Sequence, residues 1–230
     1  MRSEDPSRLH IRMHVDGPVA LFTDRADAGR QLVDYVRPGQ DPEAVLFGLP
    51  RGGLPLGVAF AEALDCGLRP VPVRKLPIPS DPEMGFGAIT ADGTVRLNER
   101  TIQAFGITAA QVREVIARVR AEVERRADVY PGGWPLPPLS GRNVWLVDDG
   151  LATGLSLLAA AEMLRARSPA SLRVAVPCAP DDSLARVARE ADETWCLAAQ
   201  KKGPFAVAAF YNDFHGLADQ EVLDALSRHP

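Results

Sequence analysis

The chain has 230 residues, 46% of them hydrophobic and 24% charged, with a formal net charge of −4 at pH 7. That length suits one α/β domain with elaborations, and the apolar share is enough for a full core. The acidic balance argues against nucleic acid as the main partner, because phosphate backbones demand a basic face. Cys66, Cys178 and Cys196 are far apart and form no C-x-x-C pair, so they read as small buried residues in a reducing compartment. No run approaches the length of a membrane span, and the start of the chain has no apolar leader. A cytoplasmic protein without a membrane partner is expected.

Residues 1–18 are polar and read as loosely ordered at the start. Residues 24–35 carry a helical pattern, with Leu32, Val33 and Val36 on one face and Pro38-Gly39 as a stop. A short buried strand is expected over 44–49, then a tight loop, Pro50-Arg51-Gly52-Gly53, then a helix over 56–64 and a second strand over 69–75. Residues 76–98 are rich in Pro and Gly and lack helical periodicity; so long a connection is usually functional or mobile. Thr108 opens a long helix through a Thr-x-x-Gln capping box with Gln111, and its apolar seam is Val112, Ile116, Val119 and Val123. The charged face of that helix is either solvated or a contact between two copies of the chain. Residues 131–141 form a linker into a strand over 144–147. Further strands over 172–176 and 194–197 are separated by helices over 155–167 and 181–191. Such alternation implies a largely parallel sheet with helices on both faces and ligands at the carboxyl ends of its strands.

The stretch from Asn143 to Ser156, Asn-Val-Trp-Leu-Val-Asp-Asp-Gly-Leu-Ala-Thr-Gly-Leu-Ser, is the most informative part of the chain. A buried strand ends in two carboxylates, Asp148 and Asp149. A small-residue loop follows, and then a helix N-terminus. Unpaired amides and the helix dipole make such a loop an anion site. Carboxylates beside an anion cradle suit a ligand that carries hydroxyls as well as phosphate, and a ribose 5-phosphate is one. Gly48-Leu49-Pro50-Arg51-Gly52-Gly53 follows the first strand, where small residues let amides approach an anion and Arg51 adds a fork-shaped cation. A plain strand-to-helix turn with Arg51 paired on the surface is the competing account.

Val-Asp-Asp-Gly-Leu-Ala-Thr-Gly resembles the phosphoribosyl pyrophosphate (PRPP) loop of type I phosphoribosyltransferases, and is most similar to adenine enzymes and to stand-alone bacterial members of that family. The resemblance implies a single Rossmann-like α/β domain over 1–230. A small hood from about 10–37 and 200–230 would cover a core of about 44–198. It implies that Gly150, Leu151, Ala152, Thr153, Gly154, Leu155 and Ser156 hold PRPP, with Asp148 and Asp149 on the ribose hydroxyls near the reacting carbon. Arg51 and Gly52 would form the pyrophosphate loop, and Lys75 a second pyrophosphate contact. The segment Asp81-Pro82-Glu83-Met84-Gly85-Phe86-Gly87 would be the flexible catalytic loop, its glycines flanking an aromatic and Glu83 serving as acid or base.

In the hood, Phe205 would stack on a planar base, worth about 1–3 kcal/mol, or else pack in the core. Phe210, Tyr211 and Phe214 read as packing, and the four histidines show no ligand spacing. Mg²⁺ would arrive bound mainly through PRPP, without protein metal ligands. The implied reaction moves ribose 5-phosphate to a nitrogenous base and releases pyrophosphate. Ala152, standing where hypoxanthine-guanine enzymes carry Asp and orotate enzymes Thr, tilts the base toward an adenine-like purine. The alternative is a PRPP-binding regulator that kept the fold and lost catalysis.

Overall fold

The computed structural model describes residues 8–17, 19–127, 130 and 132–229, without the side chains of 82, 83 and 124–127. The first half runs β1 (Leu9–Val15), α1 (Arg25–Val36), β2 (Val45–Gly48), α2 (Gly53–Leu64), β3 (Leu68–Pro70), β4 (Val73–Ile78), β5 (Asp81–Thr90) and β6 (Val95–Leu97). The second half runs α3 (Glu99–Ala104), α4 (Ala109–Ala127), β7 (Asn143–Val147), α5 (Leu155–Arg165), β8 (Ser171–Pro180), α6 (Asp181–Ala188), β9 (Glu193–Gln200) and α7 (Asp219–Ser227). Six strands form one sheet in the order β1-β9-β8-β7-β2-β3, every pair parallel.

Period-two alternation decides which face each side chain covers. Val45 and Phe47 of β2, Val144 and Leu146 of β7, and Val174 and Val176 of β8 point to one face, where α5 and α6 supply Leu157, Met163, Leu184 and Val187. Leu46, Trp145, Val147 and Ala175 point to the other, under Leu32 of α1, Leu54 and Phe60 of α2 and Val222 of α7. Both faces are therefore dry, which is why the central strands read as continuous apolar runs. Helix α1 starts from Asp24, whose side chain accepts from the amide of Asp27 at 2.7 Å. It packs close to α2 because Gly29 has no side chain: a Cβ there would lie 2.6 Å from the Leu56 carbonyl oxygen. The expected capping box at Thr108 is present, Thr108 N–H donating to Gln111 Oε1 at 2.9 Å and the Gln111 amide to Thr108 Oγ1 at 3.3 Å.

The structure departs from expectation in three places. Of the stretch 1–18, read as loose at its start, residues 1–7 and 18 lie outside the described residues, and 9–15 form an unexpected edge strand beside β9, Leu9 opposite Thr194 and Val15 opposite Gln200. The expected strand over 69–75 is two strands, β3 in the main sheet and β4 outside it. Residues 76–98 are not an irregular loop but most of a second, antiparallel sheet in the order β4-β5-β6. Leu76, Ile78, Phe86 and Ile89 of that sheet close a third core cluster with Val115, Val119 and Val123 of α4. Proline and glycine hid the strand pattern. Pro77 is accommodated at an irregularity in the β4–β5 register, as strand prolines usually are. Gly87 is required by close approach, since a Cβ would lie 2.5 Å from the Arg96 carbonyl oxygen. Phe86 is fully buried, so the Gly-Phe-Gly run serves packing here.

Candidate active site

Strands β2 and β7 are neighbours, with Gly48 opposite Val147, so the loops that leave them emerge side by side at the carboxyl edge of the sheet. The Leu49 amide donates to the Val147 carbonyl at 3.0 Å, which carries the pairing into the first loop. Close contact then dictates the glycine pair. A Cβ on Gly52 would fall 1.8 Å from Asp149 Oδ2, and one on Gly53 would fall 2.6 Å from the Val147 carbonyl oxygen.

The two carboxylates differ in surroundings. Asp148 lines a cavity of about 260 Å³ together with Pro50, Arg74, Lys75, Tyr130 and Ser156. Asp149 turns back into the protein. Its Oδ2 accepts from Arg25 Nε at 2.7 Å, with the two side chains only 9% and 13% exposed for Arg25 and Asp149. Arg25 also donates to the His215 carbonyl at 3.1 Å, and its guanidinium lies 3.9 Å from the centre of the Phe214 ring. The Tyr211 hydroxyl donates to the Asp149 carbonyl oxygen at 2.5 Å, and the Asp149 amide donates to Asp148 Oδ1 at 2.9 Å. Burial, and after it the neighbouring Asp149 charge, hold the Asp148 carboxyl well above the usual carboxylate range. Burial raises Asp149 as well, and Arg25 opposes that rise.

The loop from Gly150 to Gly154 is held from behind. Leu151 is buried and its amide donates to the Cys178 carbonyl at 2.9 Å. The carbonyl of Ala152 accepts from the Ser183 hydroxyl at 2.7 Å, and that of Thr153 from Arg186 at 3.2 Å. Gly154, with φ of 75°, turns the chain into α5 in a conformation that favours glycine. The first-turn amides of α5, Leu155 and Ser156 included, open at this loop without helical acceptors. Gly150 admits the C-terminal segment: a Cβ there would lie 2.4 Å from Val207 Cγ1.

Of the expected site residues, the fold brings Lys75, Asp148 and Ser156 to one cavity. Arg51 sits beside them in the chain path but its guanidinium engages the Leu217 carbonyl and, at 3.6 Å, Asp219 at the start of α7. Phe205 is partly buried, its ring 5.3 Å from that of Phe210, and it is absent from the cavity lining. Glu83 lies in β5, and its side chain falls outside the described residues. Among the described residues no group of three His, Cys, Asp or Glu is placed to hold a metal ion.

Sequence reasoning missed Arg25 and the Tyr211 contact. A signal for Arg25 existed: a cation in the first turn of a helix opposes the macrodipole, a local conflict that a buried anion resolves.

A parallel six-stranded sheet with this acidic pair and small-residue loop at its carboxyl edge defines a class, and sequence comparison agrees with it. Residues 90–210 match the family model described as a phosphoribosyl transferase domain. The chain belongs to the type I phosphoribosyltransferase family. It is similar to the protein TT1426 from Thermus thermophilus, a crystal structure with 32% identity and a TM-score of 0.70, over 91% of this chain and 99% of that one. Two proteins of Mycobacterium tuberculosis strains, each provisionally named a phosphoribosyl transferase, are 40% identical over 208 residues. That match covers 90% of this chain and 47% of each relative, so the chain spans about half the length of those curated proteins.

Proposed function

We propose that this protein transfers ribose 5-phosphate from PRPP to a nitrogenous base of adenine-like purine type, releasing pyrophosphate. The observation that carries the reading is the single cavity where Lys75, the Asp148 carboxylate and Ser156 at the start of α5 meet. The loop amides and the Thr153 and Ser156 hydroxyls would take the 5-phosphate, with the dipole of α5 behind them. Asp148, and Asp149 through its oxygen not engaged by Arg25, would accept from the ribose hydroxyls. Both would then lie near the carbon on which positive charge develops as pyrophosphate leaves. Lys75, the amides around Gly52 and Arg51 would receive the pyrophosphate; Arg51 must first exchange the Leu217 carbonyl and Asp219 for phosphate oxygens. Glu83 on β5 and Phe205 in the C-terminal hood segment are proposed to serve the base, by proton transfer and by stacking.

The oxygen donors facing the cavity are of the hard type that tolerates a hydrated Mg²⁺ beside them, and the ion itself would be held by oxygens of PRPP. When bound it would neutralise the departing pyrophosphate. A cytoplasmic setting is proposed from the thiols: Cys66, Cys178 and Cys196 are free, and burial first of all pushes Cys196 up to about 12 and Cys66 to about 11, the range of inert structural cysteines. Among the described residues no helix is long and apolar enough to cross a membrane.

Pyrophosphate release from PRPP and Mg²⁺, screened across purine and pyrimidine bases, tests the function. Release with an aminopurine supports it. PRPP binding without release from any base would instead assign a PRPP-binding regulator.

A further inference from the structure

Two adjacent carboxylates beside an anion cradle repel the ligand that the cradle attracts, unless one of the charges is cancelled within the protein. The structure shows how that is done. Arg25 approaches Asp149 Oδ2 at 2.7 Å from the first turn of α1, with little exposure on either side chain. Its guanidinium is fixed in turn by the His215 carbonyl at 3.1 Å and by the Phe214 ring at 3.9 Å. Gly52 packs against the same carboxylate oxygen, so Asp149 cannot swing toward the pyrophosphate loop. Asp148, which makes no ion pair among the described residues, lines the cavity together with Arg74 and Lys75.

We propose that Arg25 is a positioning residue of this site: it holds Asp149 charged with Oδ2 turned inward, so that of the acidic pair only Asp148 meets a phosphorylated sugar without an internal ion pair. The inference rests on the reading of the cavity as a PRPP site. Arg25 touches no ligand in this account and acts through Asp149. Among the described residues, these groups face Asp149. From α1 there is Arg25; from its own loop, Asp148; from β8, the Cys178 thiol; and from the C-terminal segment, the Tyr211 hydroxyl on its carbonyl. Asp213, His215 and Glu221 form an exposed pair of ion contacts beyond Arg25, at 3.0 and 2.9 Å from the imidazole nitrogens.

The test is calorimetric titration of the full chain with PRPP and Mg²⁺ from pH 5 to 8.5, on wild type, Arg25→Gln and Arg25→Lys, with melting curves alongside. Gln retains a donor to Asp149 without the charge, and Lys retains the charge without the planar fork. In Arg25→Gln the acid limb of affinity should move up by about 1–3 pH units, the usual effect of losing an adjacent opposite charge. Arg25→Lys should stay close to the wild-type profile. Protonation of the ligand's own phosphates is common to all three and cancels. An Arg25→Gln protein that melts lower but keeps the wild-type limb, with affinity within about twofold, overturns the positioning role and leaves a structural ion pair. If Arg25→Gln fails to fold, Arg25→Gln/Asp149→Asn removes the unpaired charge. An acid limb in that double variant unchanged from wild type overturns the proposal, and its loss or displacement supports it. Wild type that shows no PRPP binding at any pH refutes the functional reading itself, a result distinct from an unmoved limb.

Discussion

Replacing Gly52 by Ala discriminates sharply because two effects of opposite sign compete. Gly52 has φ −64° and ψ −33°, a right-handed helical conformation that alanine adopts without strain. Backbone entropy alone therefore predicts a gain, typically about 0.4–1 kcal/mol through the unfolded state. The added methyl, however, would sit 1.8 Å from Asp149 Oδ2 and 2.1 Å from its carboxyl carbon. Asp149 has nowhere to retreat, since the same oxygen is held by Arg25 and its carbonyl by Tyr211. Overpacking of a close-packed site costs about 1–3 kcal/mol, and an approach of 1.8 Å belongs in the upper part of that range, so the clash wins by about 1–2 kcal/mol. For a chain of this size that corresponds to a melting temperature roughly 2–8 °C lower. Scanning calorimetry of Gly52→Ala and of Gly52→Ala/Asp149→Ala checks the reasoning. The double variant should show no additional loss from the methyl, relative to Asp149→Ala. A single variant that melts above wild type would refute the claim that position 52 is glycine because of the acidic pair.

Asp148→Asn should stabilise the fold at neutral pH while weakening PRPP binding. A carboxyl whose proton is held more tightly in the folded than in the unfolded chain destabilises the fold fully once pH exceeds both values, and the penalty fades as pH falls from the folded value to the unfolded one, below which it is gone. The melting advantage of the Asn variant should therefore be largest near pH 7.5 and vanish in acid; a variant that melts lower than wild type at pH 7.5 contradicts the burial argument. Lys75→Met should leave the melting temperature nearly unchanged, because Lys75 is exposed, yet weaken pyrophosphate or PRPP binding by roughly 10- to 150-fold, the loss of one charge-assisted hydrogen bond. Unaltered titration of Lys75→Met would remove it from the site.

What was legible in the chain was whatever depends on neighbours in sequence. The run from Val144 to Val147 announces a strand buried on both faces, and Asp-Asp followed by Gly-Leu-Ala-Thr-Gly announces a turn into a helix. Both lie within about a dozen residues, and local sequence was sufficient for them. The pairing of Arg25 with Asp149 spans 124 residues, and nothing near either one names the other. The second sheet was hidden for another reason. Its alternation is interrupted by Pro77, Gly85 and Gly87, and each interruption answers a register irregularity or a strand or side chain that approaches too closely for a Cβ. Gly52 shows the two levels meeting. From sequence it is a small residue that lets backbone amides approach an anion. In the fold the nearest anion is one the protein itself supplies, Asp149, already balanced by Arg25. A glycine, a buried aspartate and an arginine from a distant helix thus satisfy one steric and electrostatic condition together. Each of the three looks ordinary alone, and changing any one should expose the requirement of the other two.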